Sequence, residues 1–258
     1  MGVLSFVFPS WATGEFPWKV GPFLATTIGG WCLGTAAIAV EAGRDARLPR
    51  ILPLLAYLWL FGAGQLLVLV AFADKFQAQG LLTYPYLIGL FALLGSAAFG
   101  LADWWRRRPD LFGASIDDTP PPAWAPRLAL AFTAFVGVLV AGTLIAGPNG
   151  IAAQRGFVPE AMTLFSLRAF AAFFLALAAM GIAVFPARAV DTYVVLARTG
   201  LYLSVPITIA ALLNLGLFDL GSRPGGILYL GAYLVVDVGL SLALVWDQRR
   251  VQVTASVS

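Results

Sequence analysis

Apolar residues run through this chain in long, nearly unbroken stretches, and the charged residues, Pro and Gly gather in short segments between them. Seven stretches stand at about 20–40, 51–73, 82–104, 127–147, 163–185, 197–218 and 226–246. At ~1.5 Å per residue, each is long enough for a helix to cross a hydrocarbon core of ~30 Å. They are too long and too uniformly apolar for barrel strands, and lipid cannot satisfy the backbone of an open structure. The pattern therefore predicts an all-α polytopic membrane protein with seven transmembrane helices. Little chain is left outside the membrane, so residues 1–258 are expected to form a single membrane domain with no soluble catalytic part, and not an enzyme.

The second half of the pattern repeats the first. At an offset of 142 residues (23 + 142 = 165), Phe23, Leu33, Ala36 and Ala37 fall on Phe165, Leu175, Ala178 and Ala179. Gly89 and Trp104 fall on Gly231 and Trp246, and Arg107-Arg108 on Arg249-Arg250. The predicted organisation is two three-helix repeats, at about 20–104 and 162–246, joined by a single linker helix at about 127–147. One crossing helix between two three-helix units gives both the same orientation, so the repeats are parallel, related by rotation about the membrane normal.

Composition and charge sharpen this picture. Sixty per cent of residues are hydrophobic and 11% are charged, against about a quarter charged in soluble domains. Of the 16 basic residues, five (Lys19, Lys75, Arg155, Arg168, Arg223) fall on the side that holds the N-terminus and the other 11 on the opposite side. The positive-inside rule then predicts an inner-membrane protein with its N-terminus outside and its C-terminus cytoplasmic. The same placement at helix ends explains the net charge of +3 without any nucleic acid. Trp104, Trp105, Trp124 and Trp246 are expected at the inner interface and Trp11 and Trp18 at the outer one. The first helix has a counterpart in the fifth and is expected to be retained rather than cleaved.

The chain has no histidine. That removes His-ligated cofactors, most zinc sites and Ser–His or Cys–His catalysis. No cofactor or metal site is expected. Its only lysines, Lys19 and Lys75, lie outside the last helix, where a retinal Schiff base would need one. The single cysteine, Cys32, reads as a small thiol at a helix contact.

Ionisable residues inside a membrane are costly, and are functional or paired. Asp237 lies near the middle of the seventh helix, with Tyr233 and Ser241 four residues before and after it, on one helix face. Arg168, in the fifth helix, either pairs with Asp237 or snorkels to the headgroups. Gln65 and Asn214 are uncharged interior polar residues that either join helices or contact a ligand. Glu41 and Asp103, at inner helix ends, read as solvated. Gly62 and Gly64 interrupt the second helix where Ser204 and Pro206 interrupt the sixth, and paired interruptions of this kind are hinge and transport-site signals. Pro206 also leaves the Tyr202 carbonyl free. Gly30-x-x-x-Gly34 is a close-packing motif.

Pro17-Trp18, Gly29-Gly30-Trp31 and Gly62-Ala63-Gly64-Gln65-Leu66 give the first repeat a form that resembles uncharacterised bacterial multi-pass membrane proteins with two three-helix repeats. In layout alone, the three-one-three arrangement resembles the SWEET-type carriers. The resemblance implies the fold and no particular activity. Two functional expectations follow from the residues. One is a small-solute transporter or binder, with a site between the repeats formed from Asp237, Arg168, Gln65, Asn214, Tyr233 and Ser241. The other is a non-catalytic accessory subunit packed against other membrane subunits. The bilayer is the partner common to both.

Overall fold

The computed structural model describes residues 1–44, 48–107, 119–145 and 162–257. Arg47, Arg108, Arg155 and the Asp117-Asp118 pair lie outside them. The described residues form nine α-helices and no strand: α1 (Gly2–Val7), α2 (Pro9–Glu15), α3 (Pro22–Arg44), α4 (Leu48–Ala71), α5 (Thr83–Arg107), α6 (Trp124–Ile145), α7 (Leu164–Val184), α8 (Val190–Leu213) and α9 (Gly225–Val257). Helices α3 to α9 are the seven that are long and apolar enough to cross a membrane. The protein is all-α and polytopic.

Local chemistry sets the helix ends. The Thr163 hydroxyl accepts a hydrogen bond from the Ser166 backbone N–H at 3.2 Å and caps α7, satisfying one of the first orphan donors. Pro186 stands just past the other end of α7 and cannot continue it. Helix α8 differs from expectation: it begins at Val190, several residues before the apolar run, and ends at Leu213. Its polar first turns are carried into the bundle by ion pairs. Arg198 meets Glu41 of α3 at 3.0 Å, and Asp191 lies 4.0 Å from Arg50 of α4. Glu41 is thus held between helices rather than solvated, while Asp103 pairs along its own helix with Arg107 at 2.7 Å. At the far end of α8, the Asn214 side chain donates to the Ala210 carbonyl at 2.8 Å.

Helices α3, α7 and α8 form the enclosed centre, α4 and α6 flank them, and α5 and α9 lie outermost. Helix α4 packs on α7, α3 on α8, α6 on α7, α5 on α4 and α9 on α8. Lipid offers no hydrophobic drive between helices, so close backbone approach and ring packing must hold them. Gly30 and Gly34 supply the first of these. A Cβ on Gly30 would lie 3.2 Å from the Pro206 Cβ, and one on Gly34 only 2.5 Å from the Tyr202 carbonyl oxygen. The close-packing motif of α3 and the proline interruption of α8 are therefore one crossing, and the carbonyl that Pro206 frees is covered by Gly34. On α4, a Cβ on Gly64 would lie 2.8 Å from the Ala172 Cβ.

These two crossings exchange under the 142-residue offset: 30 + 142 = 172 and 64 + 142 = 206. Trp31 stacks on Phe173, the residue at its own offset, with ring centroids 4.2 Å apart and planes at 11°. Phe170, Phe174, Tyr57 and Phe61 extend this aromatic cluster at the centre. Such pairs contribute ~0.5–1.5 kcal/mol each beyond their buried area.

The first 21 residues hold a feature that periodicity did not indicate. Helices α1 and α2 lie against α3, and their segment ties down the α4–α5 loop through Gln77 N–H to Pro17 O (2.6 Å) and Leu82 N–H to Glu15 O (3.2 Å). Trp18, expected at the interface, is 4% exposed and packs between Tyr86 and Phe165. Trp11 does remain exposed.

Candidate functional site

The polar residues singled out by sequence do not converge on one point. Asp237 sits where α9 crosses α8, and its Oδ2 receives the Thr208 hydroxyl at 2.6 Å. That hydroxyl also lies 2.9 Å from the Ser204 carbonyl, so one proton faces two acceptors. The other carboxylate oxygen, Oδ1, is buried with no hydrogen-bond partner. Tyr233 lies one turn earlier, its hydroxyl buried, but Ser241, one turn later, is exposed and outside this environment. Arg168 reaches a different place: its guanidinium donates to the Thr143 carbonyl near the end of α6. A cation there complements the negative end of the helix dipole and fills an orphan carbonyl. Arg168 and Asp237 thus have separate partners. Asn214 closes α8 through its bond to the Ala210 carbonyl.

Gln65 is different. It is 6% exposed, donates to the Ala169 carbonyl of α7 at 3.0 Å, and borders a crevice of about 310 Å³. That volume falls in the range of small-molecule sites, about 300–1,000 Å³. The crevice exists because α5 packs on α4 and stands apart from α3. Its walls are α3, α4 and α5, α7 forms its back, and the Trp18 segment lies at one end. The opposite part is apolar, with Ala36, Ala39, Phe61 and Leu93. The end near the N-terminal segment carries Trp18, Trp31 and Tyr86, whose indole Nε1 or phenol Oη atoms have no hydrogen-bond partner and are buried behind the crevice surface. Thr35 also borders it, already paired with Tyr57 at 2.9 Å. Cys32 is part of the same wall, and its environment is apolar.

The proposed hinge residues are contact points. Gly64 and Pro206 lie at the two crossings described above, and a Cβ on Gly62 would lie 2.8 Å from the Leu93 Cβ of α5. Trp18 was not singled out because Trp near a helix end reads as interfacial, the Pro17-Trp18 pair being its one signal, and Tyr86 carries no distinguishing pattern in the sequence.

Among the described residues no group of three or more potential metal ligands occurs. Comparison of the chain with protein-family models, with curated proteins and with solved structures finds no match.

Proposed function

We propose that this is a non-enzymatic inner-membrane protein that binds a small, largely apolar molecule in the crevice between α3, α4, α5 and α7. The observation that carries the reading is the 310 Å³ space, apolar over most of its wall and bordered by Gln65. Unfilled volume of this size leaves its apolar lining without packing contacts unless something occupies it. The lining draws on both halves of the sequence, Trp31 and Gln65 from the first and Ser166 and Phe170 from the second. This keeps the expected position between two three-helix repeats, a reading that the exchange of the Gly30–Pro206 and Gly64–Ala172 crossings supports. The deep charged residues Asp237 and Arg168 are engaged elsewhere, so the reading shifts from a polar solute to a lipophilic one. The accessory-subunit alternative has no comparable support: the exposed apolar faces of α5 and α9 are those that the bilayer itself covers.

Filling the crevice tests the proposal. Ala36→Trp should leave the protein folded in the membrane while displacing the molecule that co-purifies with the wild type, read by mass spectrometry of the solvent extract. Equal recovery of every extracted lipid from wild type and variant would sink the proposal.

A further inference from the structure

The crevice wall holds one open, unengaged polar atom. The Gln65 side chain donates its Nε2 hydrogen to the Ala169 carbonyl of α7 at 3.0 Å. Turned the other way, the amide would set its oxygen against that carbonyl, so the bond fixes which end is which. The amide oxygen, Oε1, is left without a hydrogen-bond partner among the described residues, and it is not enclosed. Its polar neighbours differ. The polar atoms of Trp18, Trp31 and Tyr86 are unpartnered but enclosed. The Thr35 hydroxyl is paired with that of Tyr57, and the Ser166 hydroxyl with that of Thr163. Among the described residues no charged side chain lines the crevice.

A smaller groove, between α7, α8 and α9 and partly lined by α6, offers no such atom among its described lining. About 60 Å³ is open there. Its polar side chains are Ser204, whose hydroxyl donates to the Gly200 carbonyl at 2.9 Å, and Tyr229 and Tyr233, whose hydroxyls are enclosed.

Depth narrows what can meet Gln65. It lies six residues (71 − 65 = 6) before the end of α4 at Ala71, a distance of ~9 Å along a helix. That is inside the apolar run, where lipid chains carry no donor and bulk water is absent. An amide oxygen in such a place is costly until a donor reaches it. An ether, ketone or ester would bring only a second acceptor.

We propose that the crevice takes an uncharged lipophilic alcohol, whose hydroxyl donates to Gln65 Oε1 and whose hydrocarbon packs along Ala36, Ala39, Phe61 and Leu93. This deepens the binding reading above and rests on it.

The test uses the whole protein in nanodiscs of phosphatidylcholine, a lipid without a hydrogen-bond donor. The probes are 1-decanol and methyl nonyl ether, isomers of which only the first carries a donor. The ¹³C-labelled methyl of Ala36 reports occupancy by NMR, and the ¹⁵N-labelled carboxamide of Gln65 reports the hydrogen bond. Concentrations are taken per lipid, so that partitioning into the bilayer drops out. We expect both probes to move the Ala36 methyl saturably, and only decanol to move the Gln65 carboxamide. Decanol should bind about tenfold more tightly, the size of one neutral hydrogen bond. Gln65→Met keeps the side-chain length and removes the acceptor. It should bring decanol to the affinity of the ether and leave the ether unchanged. If that variant fails to fold, the comparison of the isomers on the unaltered protein still decides.

Replacing part of the lipid with phosphatidylglycerol presents hydroxyls at the headgroup instead. The Gln65 carboxamide should then stay in place without a probe, and its movement overturns the proposal in favour of a bilayer headgroup. Equal affinities of the two isomers, or a preference for decanol that survives Gln65→Met, overturn the hydroxyl assignment and leave the binding reading standing. Binding of neither, with Ala36→Trp also without effect on the solvent extract, overturns both.

Discussion

At the scale of single residues, close approach decides more than polarity. Gly34 has no room for a methyl group against the Tyr202 carbonyl, whereas Gly30 meets Pro206 at a distance that a small shift relieves. We expect Gly34→Ala to lower stability by ~1–3 kcal/mol, the usual cost of overpacking, and Gly30→Ala by less. Gly137→Ala, where nothing lies within 4 Å, should be neutral. Reversible unfolding in mixed micelles measures all three. Thr208→Val removes the hydrogen bond that ties α8 to Asp237 and should cost ~0.6–2 kcal/mol in the same assay. Legibility was uneven at this scale. Asp237, Arg168 and Gln65 are conspicuous in the sequence because a polar side chain in an apolar run stands out. Their partners were not legible. Thr208 and the Thr143 carbonyl are ordinary helix constituents, and only the packing of α8 on α9 and of α6 on α7 brings them to those residues.

At the scale of elements, the seven crossings follow from length and hydropathy, but two features do not. Helix α8 starts early because Arg50 and Glu41 neutralise its polar first turns, and a window of apolar residues cannot register partners supplied by other helices. The α1–α2 segment is too short and too mixed to show a period, yet it seats Trp18 inside the bundle. Replacing Gly181 with Leu should lift α6 from α7, because the Thr133 side chain already fills the space beside it. Faster amide exchange confined to α6 and the facing turns of α7 would register this, and unchanged exchange would contradict the tight fit. The α8–α9 turn should respond to acid. The Ser222 hydroxyl, then its backbone N–H, hold the Asp219 carboxyl below the usual carboxylate range. A depressed carboxyl contributes order above its ordinary value and loses it as pH falls through the folded value. Exchange protection at Ser222 should therefore be full at neutral pH and fade in the acid range, and in Asp219→Asn it should no longer change with pH.

At the scale of the whole molecule, ion pairs and basic residues collect at one end of the bundle. Arg50 with Asp191, Arg198 with Glu41 and Arg250 with Asp247 all lie there. The sequence pattern assigns 11 of the 16 basic residues to this side as an expectation. A reporter fused after the C-terminus is expected to be active in the cytoplasm, and one active only outside would reverse the proposed orientation. That asymmetry was legible because it depends only on residue type and position along the chain. The crevice was not, since it arises from α5 packing on α4 rather than closely on α3, and from α6 packing on α7.

The position of α6 also fixes a number. Two equal grooves in one chain could hold two ligands and let each influence the other. One groove measures about 310 Å³, and the other, partly lined by α6, only about 60 Å³. Binding should then saturate at one equivalent per chain, with a plain hyperbolic isotherm and no cooperativity within the chain. On the proposed binding reading, α6 would thereby also set the stoichiometry.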